Sequence, residues 1–248
     1  DLVVHSLHKS LNGLTQTAVL WYKGNLVNEH NLIKSINLLQ TTSPSSLLIS
    51  SCEESIKDWL NKKSLSKYQK RILEAKSIYK ILIQKNIPLI ETQDPLKIVV
   101  NTSKVGIDGF TADKFFYRHG LIAELPEMMT LTFCLGFANH KDFLNLFEKL
   151  WKKLLLNSKN LKSFEVPQSP FKLIQTPEIE IGIAWRSETK SIPFSQSLNK
   201  ISGDIICPYP PGIPLLIPGE KIDIDRFNWI NNQSLCNKDL VNFNIRVI

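Results

Sequence analysis

The pattern of apolar and polar positions predicts an alternating chain of short strands and amphipathic helices. Leu2-Val-Val leads through His5 into Ser6 and predicts a strand over Leu2–Ser6, and Gln16–Tyr22 predicts a second, closed by the turn Lys23-Gly24-Asn25. Apolar residues at helical spacing then run over Asn28–Leu39. Thr41-Thr-Ser-Pro44 ends that helix, because Pro44 lacks an amide hydrogen and pushes Ser43 towards extended geometry. Ser43 or Ser45 is placed to cap the next helix, from Leu47 towards Trp59. Between Lys57 and Lys85, basic residues interleave with Leu60, Tyr68, Ile72, Ile78 and Leu82 at three- and four-residue steps, predicting one amphipathic helix with a solvated basic face.

Beyond Pro88 and Pro95 the pattern changes. Leu96–Asn101 is strand-like, Thr111–His119 helical with Gly120 as its stop, Leu121–Glu124 extended, Thr130–Phe137 a strand, and Lys141 to Leu156 a helix. This β-α-β-β-α order describes a small α+β domain. Past Lys162 come a Pro-rich linker, short strands around Ile179–Trp185, and the dense segment from Cys207 to Glu220. The expected domains are residues 1–95, 96–162 and 163–248.

Composition changes this picture in three places. Of 13 prolines, nine follow residue 166, marking the last third as loop-rich and differently built. The formal net charge of +7 raises the question of a nucleic-acid or membrane partner, but much of the excess lies on the 57–85 helix face, and no aromatic-plus-basic recognition motif accompanies it. Neither a nucleic acid nor a membrane is therefore expected as partner. Cys52, Cys134, Cys207 and Cys236 are far apart with no metal-ligand spacing, so they read as reduced thiols in a cytoplasmic setting.

The chemistry concentrates in Ser6-Leu-His8-Lys9. A lysine at the end of an apolar strand is expected to lose hydration, which favours the neutral amine needed for Schiff-base formation. Ser6 is placed to hydrogen-bond a phosphate, and His8 to donate a proton or lay a flat ring against a cofactor. By spacing alone the alternative stands: a solvated lysine at a strand end.

Four segments, in order along the chain, resemble the Orn/Lys/Arg decarboxylases. Ser6-Leu-His8-Lys9 followed by Leu-x-x-Leu-Thr-Gln16 resembles that family's cofactor-lysine signature, and Thr41-Thr42-Ser43-Pro44 its Thr-Thr-Ser-Pro loop. Gly120-Leu-Ile-Ala-Glu124 resembles a strand of its small domain. Tyr209-Pro-Pro-Gly-Ile-Pro-Leu-Leu-Ile-Pro-Gly-Glu220 resembles a hallmark of its C-terminal domain.

The resemblance implies an α/β fold: part of a pyridoxal-phosphate fold-type-I large domain, then the α+β small domain and a Pro-rich C-terminal module. It implies pyridoxal 5'-phosphate on Lys9, contacts from Ser6 and His8, and decarboxylation of a basic amino acid, arginine first, with lysine and ornithine open. Thr41 and Thr42 would approach the cofactor phosphate of a neighbouring subunit, so a homodimer or higher oligomer follows. Glu124 is the first candidate for the substrate's cationic end, with Glu220 and Asp204 behind it. The family's pyridine-nitrogen partner precedes the lysine strand, so the chain is expected to be a C-terminal part of a longer enzyme, inactive alone. With its large-domain sheet incomplete, Leu2–Ser6 is expected to show an uncovered apolar face, and the isolated chain poor solubility. The alternative is a noncatalytic subunit pairing with a complete homologue.

Overall fold

The computed structural model describes residues 1–136, 142–157, 161–165, 176–207, 212–234 and 243–248. Two compact units result, Asp1–Glu74 and Ala75–Ile248, with the boundary inside a helix.

In the first unit, β1 (Leu2–Ser6) runs straight into a single helical turn, α1 (Leu7–Ser10), and pairs antiparallel with β2 (Ala18–Tyr22), Ser6 opposite Ala18. Three helices follow: α2 (Glu29–Leu39), α3 (Ser46–Leu60) and α4 (Lys62–Gln84). Asn28 caps α2 through the Asn31 amide, and Ser45, not Ser43, caps α3 by accepting from the Leu48 amide. The basic stretch does not form the single helix expected of it. Asn61 adopts extended geometry and closes α3, and its side-chain oxygen then accepts from the Lys63 amide in the first turn of α4. The apolar periodicity survives this break because α4 resumes almost at once.

In the second unit, an antiparallel sheet has the order β3-β4-β6-β5, from β3 (Leu89–Ile90), β4 (Lys97–Asn101), β5 (Leu125–Pro126) and β6 (Thr130–Cys134). Helices α5 (Gly109–Arg118) and α6 (Phe143–Asn157) complete the expected β-α-β-β-α order. Phe116, Phe133 and Phe147 are buried at its centre, with ring centroids 5.4–5.5 Å apart. Gly120 ends α5 at φ +81 as expected. The segment Leu121–Glu124 is not a strand: pairing begins only at Leu125, although the Glu124 amide already donates to the Thr132 carbonyl. β6 stops at Cys134, and Phe137 and Lys141 lie outside the described residues.

A second core, around Phe194, Leu216, Ile222, Ile230 and Ile245, gathers the C-terminal elements. These are β7 (Lys190–Pro193) paired antiparallel with β8 (Asn244–Val247), and α8 (Ile224–Ser234). The strands expected around Ile179–Trp185 are instead a short helix, α7 (Ile181–Arg186). Its alternating apolar residues follow a helical turn whose Ile181, Ile183 and Trp185 are exposed while Ala184 is buried. Gly212 sits at φ +81, the turn expected of it, and Gly219 at φ +90 lies so close to the Ile179 carbonyl that a Cβ would meet its oxygen at 2.0 Å. Tyr209, Pro210 and Pro211 lie outside the described residues.

Candidate active site

Lys9 occupies the one helical turn that follows β1. The strand stops there because the Leu7 amide donates to the Thr17 carbonyl while Leu7 itself is fully buried, turning the chain into α1. Ser6 stands at the N-cap position, but its hydroxyl caps no amide of α1. The His8 ring is partly buried, and its Nδ1 donates to the same Thr17 carbonyl at 3.0 Å. Lys9 is exposed, and among the described residues its ammonium has no hydrogen-bond or ion-pair partner. The dehydration expected of a strand-end lysine is therefore not met in this chain: the turn lifts Lys9 off the strand into solvent.

Residues 11–17 form a bracket beneath this turn. Gln16 has φ +77, and Thr17 is buried and tied twice to the Leu14 carbonyl, by its amide at 3.1 Å and its hydroxyl at 2.6 Å. Gly13 must be glycine, since a Cβ there would stand 2.3 Å from Thr17 Oγ1. Helix α3 fixes the bracket from outside: Ser51 Oγ accepts from the Leu14 amide at 2.9 Å, and Asn12 reaches Asp58 at 3.4 Å. Asp58 also accepts from Ser64 and Tyr68, which together hold its carboxyl below the usual carboxylate range, while burial and Asp58 push the Tyr68 phenol up to about 12. Sequence reasoning missed Gly13, Thr17 and Asp58. Only the position of Thr17, directly after Leu14-Thr-Gln16, pointed to it.

Thr41 and Thr42 lie apart from this turn on the exposed loop between α2 and α3, where Thr41 Oγ1 accepts from the Ser43 amide. The three acidic candidates belong to the second unit and differ sharply. Glu124 is exposed, with its backbone tied to β6. Its charge, after burial, helps push the Cys134 thiol up. Glu220 is committed to structure: Oε2 accepts from the Ile217 amide at 3.0 Å and Oε1 pairs with Arg226 at 3.1 Å, both side chains being almost wholly buried. Asp204 pairs with Arg246 at 3.2 Å. Among the described residues no cluster of three or more metal-ligating side chains exists, and no helix is long and apolar enough to cross a membrane.

Comparison with known proteins places these segments in one family. The Orn/Lys/Arg decarboxylase major domain matches residues 2–91, and the Orn/Lys/Arg decarboxylase C-terminal domain matches residues 165–235. The chain belongs to the Orn/Lys/Arg decarboxylase family. An arginine decarboxylase of Bacillus anthracis is 26% identical over 93% of this chain and 49% of its own length. A constitutive lysine decarboxylase of Escherichia coli is 32% identical, but over 46% of this chain and 13% of its own length. This Orn/Lys/Arg decarboxylase family chain thus spans about half the length of the curated relatives it matches most extensively. The crystal structure of the Francisella novicida lysine decarboxylase superposes with a TM-score of 0.77 at 18% identity, covering 99% of this chain and 48% of that one, which shows a shared mixed α/β fold.

Proposed function

We propose that this chain contributes the cofactor-lysine segment, small domain and C-terminal domain of a pyridoxal-phosphate-dependent decarboxylase of a basic amino acid. The domains would be residues 1–95, the remainder of a fold-type-I large domain, then 96–162 and 163–248. The observation that carries the proposal is the α1 turn, which presents Lys9 and Ser6 with uncommitted polar groups beside a fixed His8 ring, inside the stretch matched by the family's major domain. Arginine is the favoured substrate, because matches to arginine decarboxylases cover about twice as much of this chain as that to the constitutive lysine decarboxylase.

The donor set fits the cofactor. A solvent-reachable amine suits an aldehyde, and a hydroxyl not spent on capping suits a phosphate. When bound, pyridoxal phosphate supplies a sink for the electron pair that remains on the α-carbon after CO2 leaves. Lys9 would hold the cofactor and, once displaced by substrate, carry a proton at Nζ. Ser6 Oγ would donate to the phosphate, and His8 would contact the substrate carboxylate or the cofactor. Glu124, exposed and backbone-anchored, would pair with the cationic end of the substrate. Glu220 is the weaker candidate, since its two oxygens already bond Arg226 and the Ile217 amide. Thr41 and Thr42, on an exposed loop, would serve a neighbouring subunit's phosphate in a cytoplasmic homodimer or higher oligomer.

The test is Lys9→Ala in the assembled enzyme. The expected result is no borohydride-trappable cofactor adduct and no CO2 released from arginine, lysine or ornithine. An adduct together with CO2 release from any of the three overturns the proposal.

A further inference from the structure

We infer that Thr17 is a positioning residue for His8, selecting the ring tautomer that leaves Nε2 as the nitrogen able to take up and release a proton. This rests on the active-site reading of the α1 turn. A carbonyl oxygen only accepts, so His8 Nδ1, 3.0 Å from the Thr17 carbonyl, must carry the hydrogen. In the neutral ring Nε2 then bears the lone pair, and on protonation Nδ1–H stays bonded while the proton exchanges at Nε2.

The carbonyl that makes this choice is held by several bonds. It also accepts from the Leu7 amide at 3.0 Å, so the same oxygen starts the helical turn and orients the ring. The Thr17 hydroxyl donates to the Leu14 carbonyl at 2.6 Å and occupies space that a side chain at position 13 would take, and the Leu14 amide is anchored on Ser51 of α3. A line of backbone and hydroxyl bonds therefore runs from α3 to the ring next to Lys9.

His5, three residues earlier, shows that the choice is local. Its Nδ1 accepts from the Trp21 indole N–H at 3.1 Å, so the neutral ring must carry its hydrogen on Nε2, opposite to His8. One chain thus holds two histidines in opposite tautomers on either side of Ser6.

The experiment has two arms. In the full chain labelled with 15N-histidine and with the rings neutral, His8 should show a protonated Nδ1 and bare Nε2, and His5 the reverse, with signals assigned by His5→Gln and His8→Gln. A His8 ring with its hydrogen on Nε2 overturns the inference without any variant having to fold. In the assembled enzyme, Thr17→Val, which removes the hydroxyl at constant shape, should lower kcat about fivefold with KM within about twofold, and Thr17→Ser should restore it. Equal loss in both variants, or no loss in either, overturns the inference. Borohydride trapping at Lys9 separates the two levels: no adduct in the wild-type enzyme sinks the functional reading itself, whereas an adduct with the wrong tautomer sinks only the role of Thr17.

Discussion

Glu220 shows how the surroundings of a residue decide its work. As a carboxylate in a matched motif it qualifies as a ligand for a basic substrate, yet its two oxygens are spent on Arg226 and on the Ile217 amide in a nearly dry environment. Arg226 keeps a second carboxylate, Asp223 at 2.9 Å, when Glu220 is removed, but the Ile217 amide loses its acceptor, so Glu220→Ala should cost about 2 kcal/mol of stability. The check is a denaturant midpoint measured beside KM: a stable variant with a raised KM for the amino acid would instead make Glu220 a substrate ligand. Lys9 illustrates the complementary case. Its candidacy was legible from Ser6-Leu-His8-Lys9, but its exposure was not, because the turn that lifts it depends on Thr17, eight residues away and brought close only by the β1–β2 pairing.

At the scale of elements, the α3–α4 junction is the least legible feature, since hydrophobic periodicity passes across Asn61 almost unbroken. What breaks the helix is local polar chemistry: Asn61 bonds forward to the Lys63 amide, and Asp58 gathers Ser64 and Tyr68 across the corner. The Tyr68 phenol is shifted from 10.0 up to about 12 by burial first and the bond to Asp58 second. A raised acid is neutral in the folded state at pH values where the unfolded chain already ionises, so its contribution is intact below 10 and is lost as pH rises towards 12. Stability should fall over that interval in wild type more steeply than in Tyr68→Phe, as read from urea midpoints. Parallel curves would show that folding does not raise the Tyr68 phenol. Helix α7 failed prediction for a related reason: over six residues, alternation fits a strand and a helical turn alike, and among the described residues no strand pairs with it.

For the molecule as a whole, apolar surface is the dominant physical fact of the first unit. Val4, Leu26, Leu38 and Leu39 are 69%, 90%, 82% and 84% exposed, and α2 buries none of its residues. Patches of this kind drive association or await a covering surface. The chain by itself should therefore sediment above its monomer mass and bind a hydrophobic dye, and Leu38→Ser with Leu39→Ser should reduce both; a dye-dark wild-type monomer would contradict this. The sequence by itself determined the first two strands, the helix that begins at Asn28, the cap of α3 as one of two serines, and the family, because these depend on spacing and on motifs a few residues long. Only the tertiary structure decided that Glu220 is tied to Arg226, that Lys9 stands in water and that His8 carries its hydrogen on Nδ1. Those outcomes turn on which distant donor or acceptor comes within 3 Å of a given atom, and that distance is set by packing rather than by local pattern.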